Sequence, residues 1–247
     1  MHRLLSTTED LSLESPALSR EAMNHLKVLR PKDGEQVELF DGCGHVRIYA
    51  YDAASRRLVA GAAQAVRTFE RSASSLTLFA CVTKGSRWDW TIEKATELGV
   101  TRIVPVLSER TIVRIPKAER AAKRERWLRI AEDAARQSDA VWLPEITEAI
   151  DFADTLPLVR ETDCFVGALT DPPPQPLFAA VGRLQPSGAS AARRLALYVG
   201  PEGDFTPDEL QALLAIATPT SFGPTVLRAE TAAIFGLSVL AGCLHAG

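Results

Sequence analysis

The residues GPEGD (200–204) place a carboxylate between two glycines, directly after the apolar run LALYV. Glycines let backbone amides come close to a ligand. Phosphate is the usual ligand of a glycine loop that precedes a helix, but Glu202 and Asp204 would repel it, and the sequence contains neither GxxxxGKS nor GxGxxG. The loop therefore favours a ligand with amines, hydroxyl groups or positive charge. The alternative is a tight turn in which Glu202 caps nearby amides.

The residues after this loop predict the start of a helix. Thr206 is a good N-cap, Pro207 fits the first helical position, and Glu209 completes a capping box. We therefore expect the loop to be held between a buried strand and a firmly capped helix.

Residues 73–247 alternate strand-like apolar runs with segments of helical periodicity. The strand-like runs are SSLTLFACVTK, RIVPVLS, CFVGALT and LALYVG, and helices are predicted at WDWTIEKATELGV and over 118–138. This alternation predicts an α/β fold, a parallel sheet with helices on both faces. Ligands of such sheets bind beyond the carboxyl ends of the strands. Three of those ends are conspicuous: ALTD (168–171), the GPEGD loop, and SFGPTVLRAETAA (221–233).

Residues 1–72 have a different pattern. Short runs with alternating apolar and polar residues, QVELFDG, HVRIYAYD and RLVAGAAQAV, predict a small β-rich domain that ends near residue 72.

Composition excludes several classes of protein. The chain has 247 residues, of which 46% are hydrophobic, and a net charge of -3, which is ordinary for a globular protein. Cys81 and Cys164 lie in apolar runs, as reduced core cysteines do, and no metal-ligand spacing appears. No signal peptide is visible, and the longest apolar run, 232–246, is shorter than a membrane span. We expect a cytosolic protein with no metal and no membrane partner.

One stretch is strongly basic. Residues 110–129 hold eight basic side chains against Glu119 and Glu125. Such an excess can meet phosphates, or it can be a solvated helix face with charge pairs four residues apart. The histidines, by contrast, lie outside the three strand ends, and none is assigned to catalysis; they are His2, His25, His45 and His245.

The sequence resembles the RsmE family, the uridine-N3 methyltransferases of ribosomal small-subunit RNA in the SPOUT superfamily. The similar segments, in chain order, are NHLKVLRPKDGEQVELFDG, IEKATELGVTRIVPVLSERT, RWLRIAEDAARQS, VGPEGDFTPDE and VLRAETAA. Together they cover nearly the whole chain.

This resemblance implies an organisation and an activity. Residues 1–72 would form a PUA-like RNA-binding β-barrel, and residues 73–247 a SPOUT methyltransferase domain with a C-terminal trefoil knot. The implied reaction is methylation of N3 of a uridine in 16S rRNA of the small ribosomal subunit, with S-adenosyl-L-methionine as cofactor. A cytoplasmic homodimer is implied as well, and the apolar last helix fits burial against a second subunit or within one.

The resemblance also implies site residues. The cofactor would be bound by Leu169, Thr170, Gly200, Pro201, Glu202, Gly203, Phe222, Gly223, Val226, Leu227 and Arg228. We expect RNA to be bound by Arg3, Arg30, Lys84, Arg120, Lys123 and Arg124, the last three because they lie in the basic stretch 110–129. The sequence departs from the family pattern at four positions: Glu35 replaces an aspartate, Asp139 a basic residue, Asp204 the second glycine of GPEGG, and Thr225 an arginine.

Catalysis is assigned to Arg228 and Glu230. Uridine N3 must lose its proton before it accepts a methyl group, and Arg228 would stabilise the resulting anion. Glu230 would act as a base or orient Arg228, and its place at the positive end of the last helix favours orientation. The alternative for Arg228 is an ion pair with Glu230 or Glu202 that only fixes the loop.

Two other functions compete. SPOUT ribose 2′-O-methyltransferases carry a different final motif, similar to SLNVSVA, which RAETAAIFG does not match. A catalytically silent RNA-binding protein would not need the intact cofactor loops.

Overall fold

The computed structural model describes residues 1–61, 64–170, 172–184 and 192–245. The chain divides into two compact units. The first unit consists of Met1–Arg71 and Glu132–Leu143, and the second consists of Ser72–Ala131 and Pro144–Gly247. The sequence-based division at residue 72 differs at one segment: it assigned Glu132–Leu143 to the C-terminal domain, whereas the structure groups these residues with the first unit.

Twelve strands are found in the described residues. They are β1 His2–Leu5, β2 Gln36–Phe40, β3 His45–Asp52, β4 Arg57–Val59, β5 Arg67–Thr68, β6 Ser75–Cys81, β7 Arg102–Leu107, β8 Glu145–Ile146, β9 Ile150–Asp151, β10 Asp163–Gly167, β11 Arg194–Val199 and β12 Thr218–Thr220.

Eight α-helices are found in the same part of the chain. They are α1 Thr8–Ser12, α2 Arg20–Leu29, α3 Ser86–Glu97, α4 Lys117–Gln137, α5 Phe152–Thr155, α6 Leu177–Gly182, α7 Pro207–Leu214 and α8 Ala229–His245. A 3-10 helix, Leu156–Val159, follows α5.

The first unit is built on a five-stranded sheet in the order β1-β2-β3-β4, with β5 also paired to β3. β1 and β2 run parallel, and the other pairs are antiparallel. Its core contains Leu4, Leu39, Tyr49 and Leu58. The third predicted strand is shorter than expected, because β4 ends at Val59 and residues 62–63 of that run lie outside the described residues.

The second unit is built on a seven-stranded sheet in which every pairing is parallel. The order is β12-β10-β11-β6-β7-β8, and β9 pairs with β7. The prediction of an α/β fold with a parallel sheet is therefore confirmed.

Both faces of this sheet are covered, as the side-chain alternation of β6 shows. Leu76, Leu78 and Ala80 join one core with residues of α3 and α8, and Phe79 and Cys81 join the other with residues of α5 and α7. α8 packs closely on β11, since a Cβ added to Gly236 would lie 2.5 Å from Leu197 Cδ2. Central strands buried on both faces explain why their sequences are continuously apolar.

The two predicted helices are confirmed. α3 buries Trp88, Ile92 and Ala95, and α4 buries Trp127 and Ala131. The Trp88 and Trp127 rings meet edge to face at 5.7 Å between centroids, a favoured geometry for two aromatic rings. In the described parts of the chain, no helix is both long and apolar enough to cross a membrane.

Candidate functional site

A cavity of about 300 Å³ lies in the second unit at the carboxyl ends of three adjacent strands, β10, β11 and β12. Three segments line it: residues 167–169 at the end of β10, residues from 199 to 204 at the end of β11, and residues from 220 to 232, which run from the end of β12 into the start of α8. These are the three strand ends that the sequence singled out. Their convergence follows from the parallel sheet, in which all carboxyl ends meet at one edge.

Most of the residues implied as cofactor ligands line this cavity. They are Leu169, Gly200, Pro201, Glu202, Phe222, Gly223, Val226, Leu227 and Arg228. Thr170 and Gly203 do not. The Thr170 hydroxyl donates to the carbonyl of Pro172 at 2.9 Å, and the Gly203 carbonyl accepts a hydrogen bond from Arg110.

The cavity depends on glycine at two positions. A Cβ on Gly167 would lie 2.5 Å from Phe222 Cε2, so only glycine lets the Phe222 ring pack against the end of β10. Gly223 has a φ of 129°, a conformation that residues with a side chain rarely adopt. The sequence motif therefore specifies the shape of the backbone around the cavity.

The loop before α7 is held as the sequence predicted. The Thr206 hydroxyl accepts a hydrogen bond from the Glu209 amide at 3.3 Å, and Glu209 Oε2 accepts one from the Thr206 amide at 3.0 Å, which completes the capping box. Pro207 occupies the first turn. Together these contacts fix the downstream end of the loop.

Asp204, one of the departures from the family pattern, keeps the backbone conformation that glycine would adopt. Its φ is 59°, in the left-handed region. Its side chain accepts a hydrogen bond from the Phe205 amide at 2.8 Å, and its own amide donates to the Pro201 carbonyl at 2.9 Å. Aspartate tolerates this region better than most residues because of such local hydrogen bonds. The departure therefore preserves the turn.

Glu202 lines the cavity and forms an ion pair with Arg87 of α3, with 3.2 Å between Oε1 and Nη1. Among the described residues, the side chain that accepts a hydrogen bond from an amide of this loop is Asp204, which accepts from Phe205. The alternative in which Glu202 caps nearby amides is therefore not observed. Sequence reasoning missed Arg87. Its position in the first turn of the helix that follows a strand end was the available signal.

Arg228 is exposed and lines the cavity. Within the described residues its guanidinium has no ion pair, either with Glu230 or with Glu202. Glu230 lies in the first turn of α8, is only 8% exposed, and does not line the cavity. Its Oε2 has no hydrogen-bond partner in the described part of the chain. The free protein therefore does not bring the two predicted catalytic side chains together.

The structure contradicts the prediction that Arg3 contacts RNA. Arg3 is 6% exposed. Its Nε donates to Glu38 Oε1 at 2.7 Å, its Nη1 donates to the carbonyls of Ala135 and Ala140, and its guanidinium lies 4.2 Å from the centre of the Phe40 ring. A buried guanidinium with these contacts holds the first unit together and is not available to a phosphate.

The other predicted RNA ligands are more accessible. Arg30 and Lys84 are exposed, and Lys123 is half-buried. Arg120 forms an ion pair with Asp151 at 2.6 Å, and Arg124 Nε donates to the Ile146 carbonyl at 2.7 Å.

Five of the eight basic residues in the 110–129 stretch make contacts within the second unit. Besides Arg120 and Arg124, Arg110 donates to Gly203, Arg114 donates to the carbonyls of Ser108 and Glu109, and Arg126 pairs with Asp89. The stretch is therefore partly structural, although an arginine bound to a carbonyl keeps its charge. Among the described residues, no cluster of three or more His, Cys, Asp or Glu side chains could hold a metal ion.

Comparison with known proteins identifies the family. A family described as RNA methyltransferase domain matches residues 70–241. The ribosomal RNA small subunit methyltransferase E of Synechocystis sp. is 31% identical over 99% of this chain and 78% of its own length. The protein of the same name from Bacillus subtilis is 33% identical over 64% of this chain, and the match spans 61% of that relative.

A solved structure agrees. The crystal structure of a ribosomal RNA small subunit methyltransferase E from Neisseria gonorrhoeae, bound to S-adenosyl methionine, has a TM-score of 0.79 and 25% identity, over 98% of this chain and 97% of the other. The match of fold and sequence extends over both units. The chain belongs to the RNA methyltransferase domain family and, within it, to the ribosomal RNA small subunit methyltransferase E proteins.

Proposed function

We propose that this protein methylates N3 of a uridine in 16S rRNA of the small ribosomal subunit, with S-adenosyl-L-methionine as the methyl donor. The observation that carries the proposal is Arg228, an exposed arginine on the wall of the cavity that has no ion pair among the described residues. The names of the relatives supply the substrate, small-subunit rRNA. The similar Neisseria structure supplies the cofactor.

The cavity fits S-adenosylmethionine in its chemistry. Apolar side chains such as Phe222 and Leu227 suit the flat faces of a purine, and the backbone around Gly200 leaves room for amides and carbonyls to meet polar groups. The Glu202 carboxylate is paired with Arg87 through Oε1, and its other oxygen can accept a hydrogen bond from an amine or hydroxyl group of the ligand. When bound, S-adenosylmethionine supplies the methyl group that N3 receives.

Arg228 would act on the uridine. Transfer of the N3 proton to a base, either Glu230 or a solvent hydroxide ion, leaves a negative charge that spreads to the two flanking carbonyl oxygens. A guanidinium can donate a charge-assisted hydrogen bond to one of these oxygens and leave N3 open to the methyl group, and an arginine with no ion pair of its own is free to do so. Its place on the cavity wall sets this charge beside the methyl donor, where it stabilises the transition state more than the neutral base.

Glu230 would act through Arg228 or on the proton. Its unpartnered Oε2 is a buried acceptor, and a buried carboxylate oxygen without a hydrogen bond is costly. A substrate complex in which the Arg228 guanidinium or the departing N3 proton meets this oxygen would remove that cost. We favour the guanidinium, because Glu230 lies in the first turn of α8, whose positive end favours a charged carboxylate that can pair with a cation.

We further propose that accessible basic residues bind the RNA backbone. Arg30, Lys84 and Lys123 are the simplest candidates, since no side-chain partner is found for them among the described residues. Arg120 and Arg124 contribute charge while they hold their carbonyl and carboxylate partners. Removal of one basic side chain that binds a phosphate should reduce the salt dependence of RNA binding by up to about one unit of slope. Lys123→Ala therefore tests this surface more cleanly than Arg120→Ala, which also breaks the ion pair with Asp151.

The finer features of the fold also remain our proposals. A PUA-like barrel in residues 1–72 is supported by the mixed five-stranded sheet. A trefoil knot is supported by the path from edge strand β12 to α8, which packs on the central strands β11 and β6. A homodimer is supported by exposed apolar side chains near the cavity, Phe178, Val226 and Phe235, and light scattering would test it. An rRNA substrate implies a cytoplasmic protein.

The deciding experiment compares Arg228→Ala with Arg228→Lys and with a control, Arg160→Ala, at an exposed arginine outside the cavity. The readout is N3-methyluridine in small-subunit rRNA, measured by mass spectrometry of nucleosides. Arg228→Ala should reduce turnover by roughly 10²- to 10³-fold, and lysine should restore it only in part. Near-normal methylation by Arg228→Ala would refute the role of Arg228. Formation of a 2′-O-methyl nucleoside instead would refute the N3 assignment.

A further inference from the structure

The segment that follows β7, Ser108 to Thr111, is bonded to the cavity loop from outside the cavity. Arg110 Nη1 donates to the carbonyl of Gly203 at 3.1 Å and to the carbonyl of Phe205 at 3.4 Å. Arg110 itself does not line the cavity. One nitrogen therefore donates to two carbonyls of the loop, and other residues of the same loop line the cavity.

A second, independent bond joins the same two segments. The amide of Glu109 donates to Glu209 Oε1 at 2.8 Å, while Glu209 Oε2 accepts from the Thr206 amide at 3.0 Å. Glu209 thus caps α7 and anchors the start of that helix to the segment after β7. The cavity loop is attached at its middle by Arg110 and at its downstream end by Glu209.

The anchoring segment is itself well fixed. The Ser108 and Thr111 hydroxyls lie 2.9 Å apart and are buried, and Cys81 Sγ lies 3.4 Å from Ser108 Oγ. Arg114 Nη2 donates to the Glu109 carbonyl at 2.7 Å. These contacts attach the segment to Cys81 of β6 and to Arg114 independently of the cavity loop.

The loop needs such support. Gly203, like Gly200, has more backbone freedom than a residue with a side chain. Because a peptide unit is planar, the direction of the Gly203 carbonyl also sets the direction of the Asp204 amide, which closes the turn onto the Pro201 carbonyl. Without a donor on the Gly203 carbonyl, the loop would populate more conformations, and ligand binding would have to select the competent one.

We propose that Arg110 is a positioning residue for the cofactor cavity, which it keeps in its binding conformation through the Gly203 and Phe205 carbonyls. Arg110 therefore differs from the residues of the basic stretch 110–129 that we propose to bind RNA, because it binds the cavity loop and not a phosphate. The inference rests on the proposed use of the cavity for S-adenosylmethionine. It does not depend on which nucleotide is methylated.

The test measures binding of S-adenosylhomocysteine by titration calorimetry, without RNA, for wild type, Arg110→Ala, Arg110→Lys and the control Arg160→Ala. Arg110→Ala should raise the Kd about tenfold, since the bond it removes is a charged one on a partly exposed loop. Arg110→Lys should recover part of the affinity, because both contacts come from a single nitrogen. Arg160→Ala should bind as wild type does.

A role in general stability predicts a different result. It would lower the melting temperature equally with and without ligand, whereas loss of positioning should also shrink the ligand-induced rise in melting temperature. An unchanged Kd for Arg110→Ala would overturn the inference. This holds even if the variant lost RNA affinity or stability. Failure of the wild type to bind S-adenosylhomocysteine would overturn the proposed function along with it.

Discussion

Gly167→Ala tests how the end of β10 shapes the cavity. The added methyl carbon would lie 2.5 Å from Phe222 Cε2 and 2.8 Å from Cζ, where carbon atoms normally stand about 3.5–4.0 Å apart. The ring must therefore move by about 1 Å. It is confined by the Phe235 ring, whose centroid lies 5.8 Å away. Overpacking of this kind typically costs about 1–3 kcal/mol.

Part of that cost should appear in binding, because Phe222 lines the cavity. If half of a cost of about 2 kcal/mol does, the Kd for S-adenosylhomocysteine rises about fivefold, and the free energy of unfolding falls by about 1 kcal/mol. Calorimetry and urea denaturation measure the two separately. Gly242→Ala is the matched control: it lies in α8 with nothing within 4 Å of its added Cβ, so it should raise stability by up to about 1 kcal/mol. The reasoning fails if Gly167→Ala changes neither the Kd nor the stability, or if Gly242→Ala weakens binding equally.

Three further predictions concern single side chains. Thr206→Ala should lower the free energy of unfolding by about 1 kcal/mol in urea denaturation, whereas Thr206→Ser should retain most of the wild-type stability. Equal losses in the two variants would show that the hydroxyl cap of α7 does not contribute. Burial raises the pKa of the Cys81 thiol to about 11, so at pH 8 a maleimide should label exposed Cys43 and leave Cys81 unlabelled in the folded protein. Burial also raises the pKa of the Asp41 carboxyl, but hydrogen bonds from Thr8 and from two backbone amides outweigh it and hold that pKa below 3.8. The stabilisation from Asp41 is therefore present above about pH 4 and lost as the pH falls through the lowered value. Urea denaturation at a series of pH values should show a smaller acid decline of stability for Asp41→Asn than for wild type.

The sequence by itself determined the features whose partners are close along the chain, namely the helix cap, the buried strands and the segments that follow them. The capping box of Thr206 and Glu209 is readable because its partners lie three positions apart, and the buried strands are readable because burial on both faces demands a continuous apolar run. The three cavity segments were found for the same reason: each directly follows a strand. A parallel sheet brings all such ends to one edge, and the strand order, in which β12, β10 and β11 are neighbours, brings these three into one cavity.

Tertiary structure decided which charged side chains are free. Arg3 was expected on an RNA-binding surface, yet it is buried against Glu38, 35 positions away. Arg87 meets Glu202, and Arg110 meets Gly203 from 93 positions away. An arginine in the sequence has the same charge in each case, and no periodicity distinguishes a guanidinium that binds a carbonyl from one that faces solvent. That distinction depends on which strands and helices become neighbours, because the partners of a long side chain are supplied by the fold and not by adjacent residues.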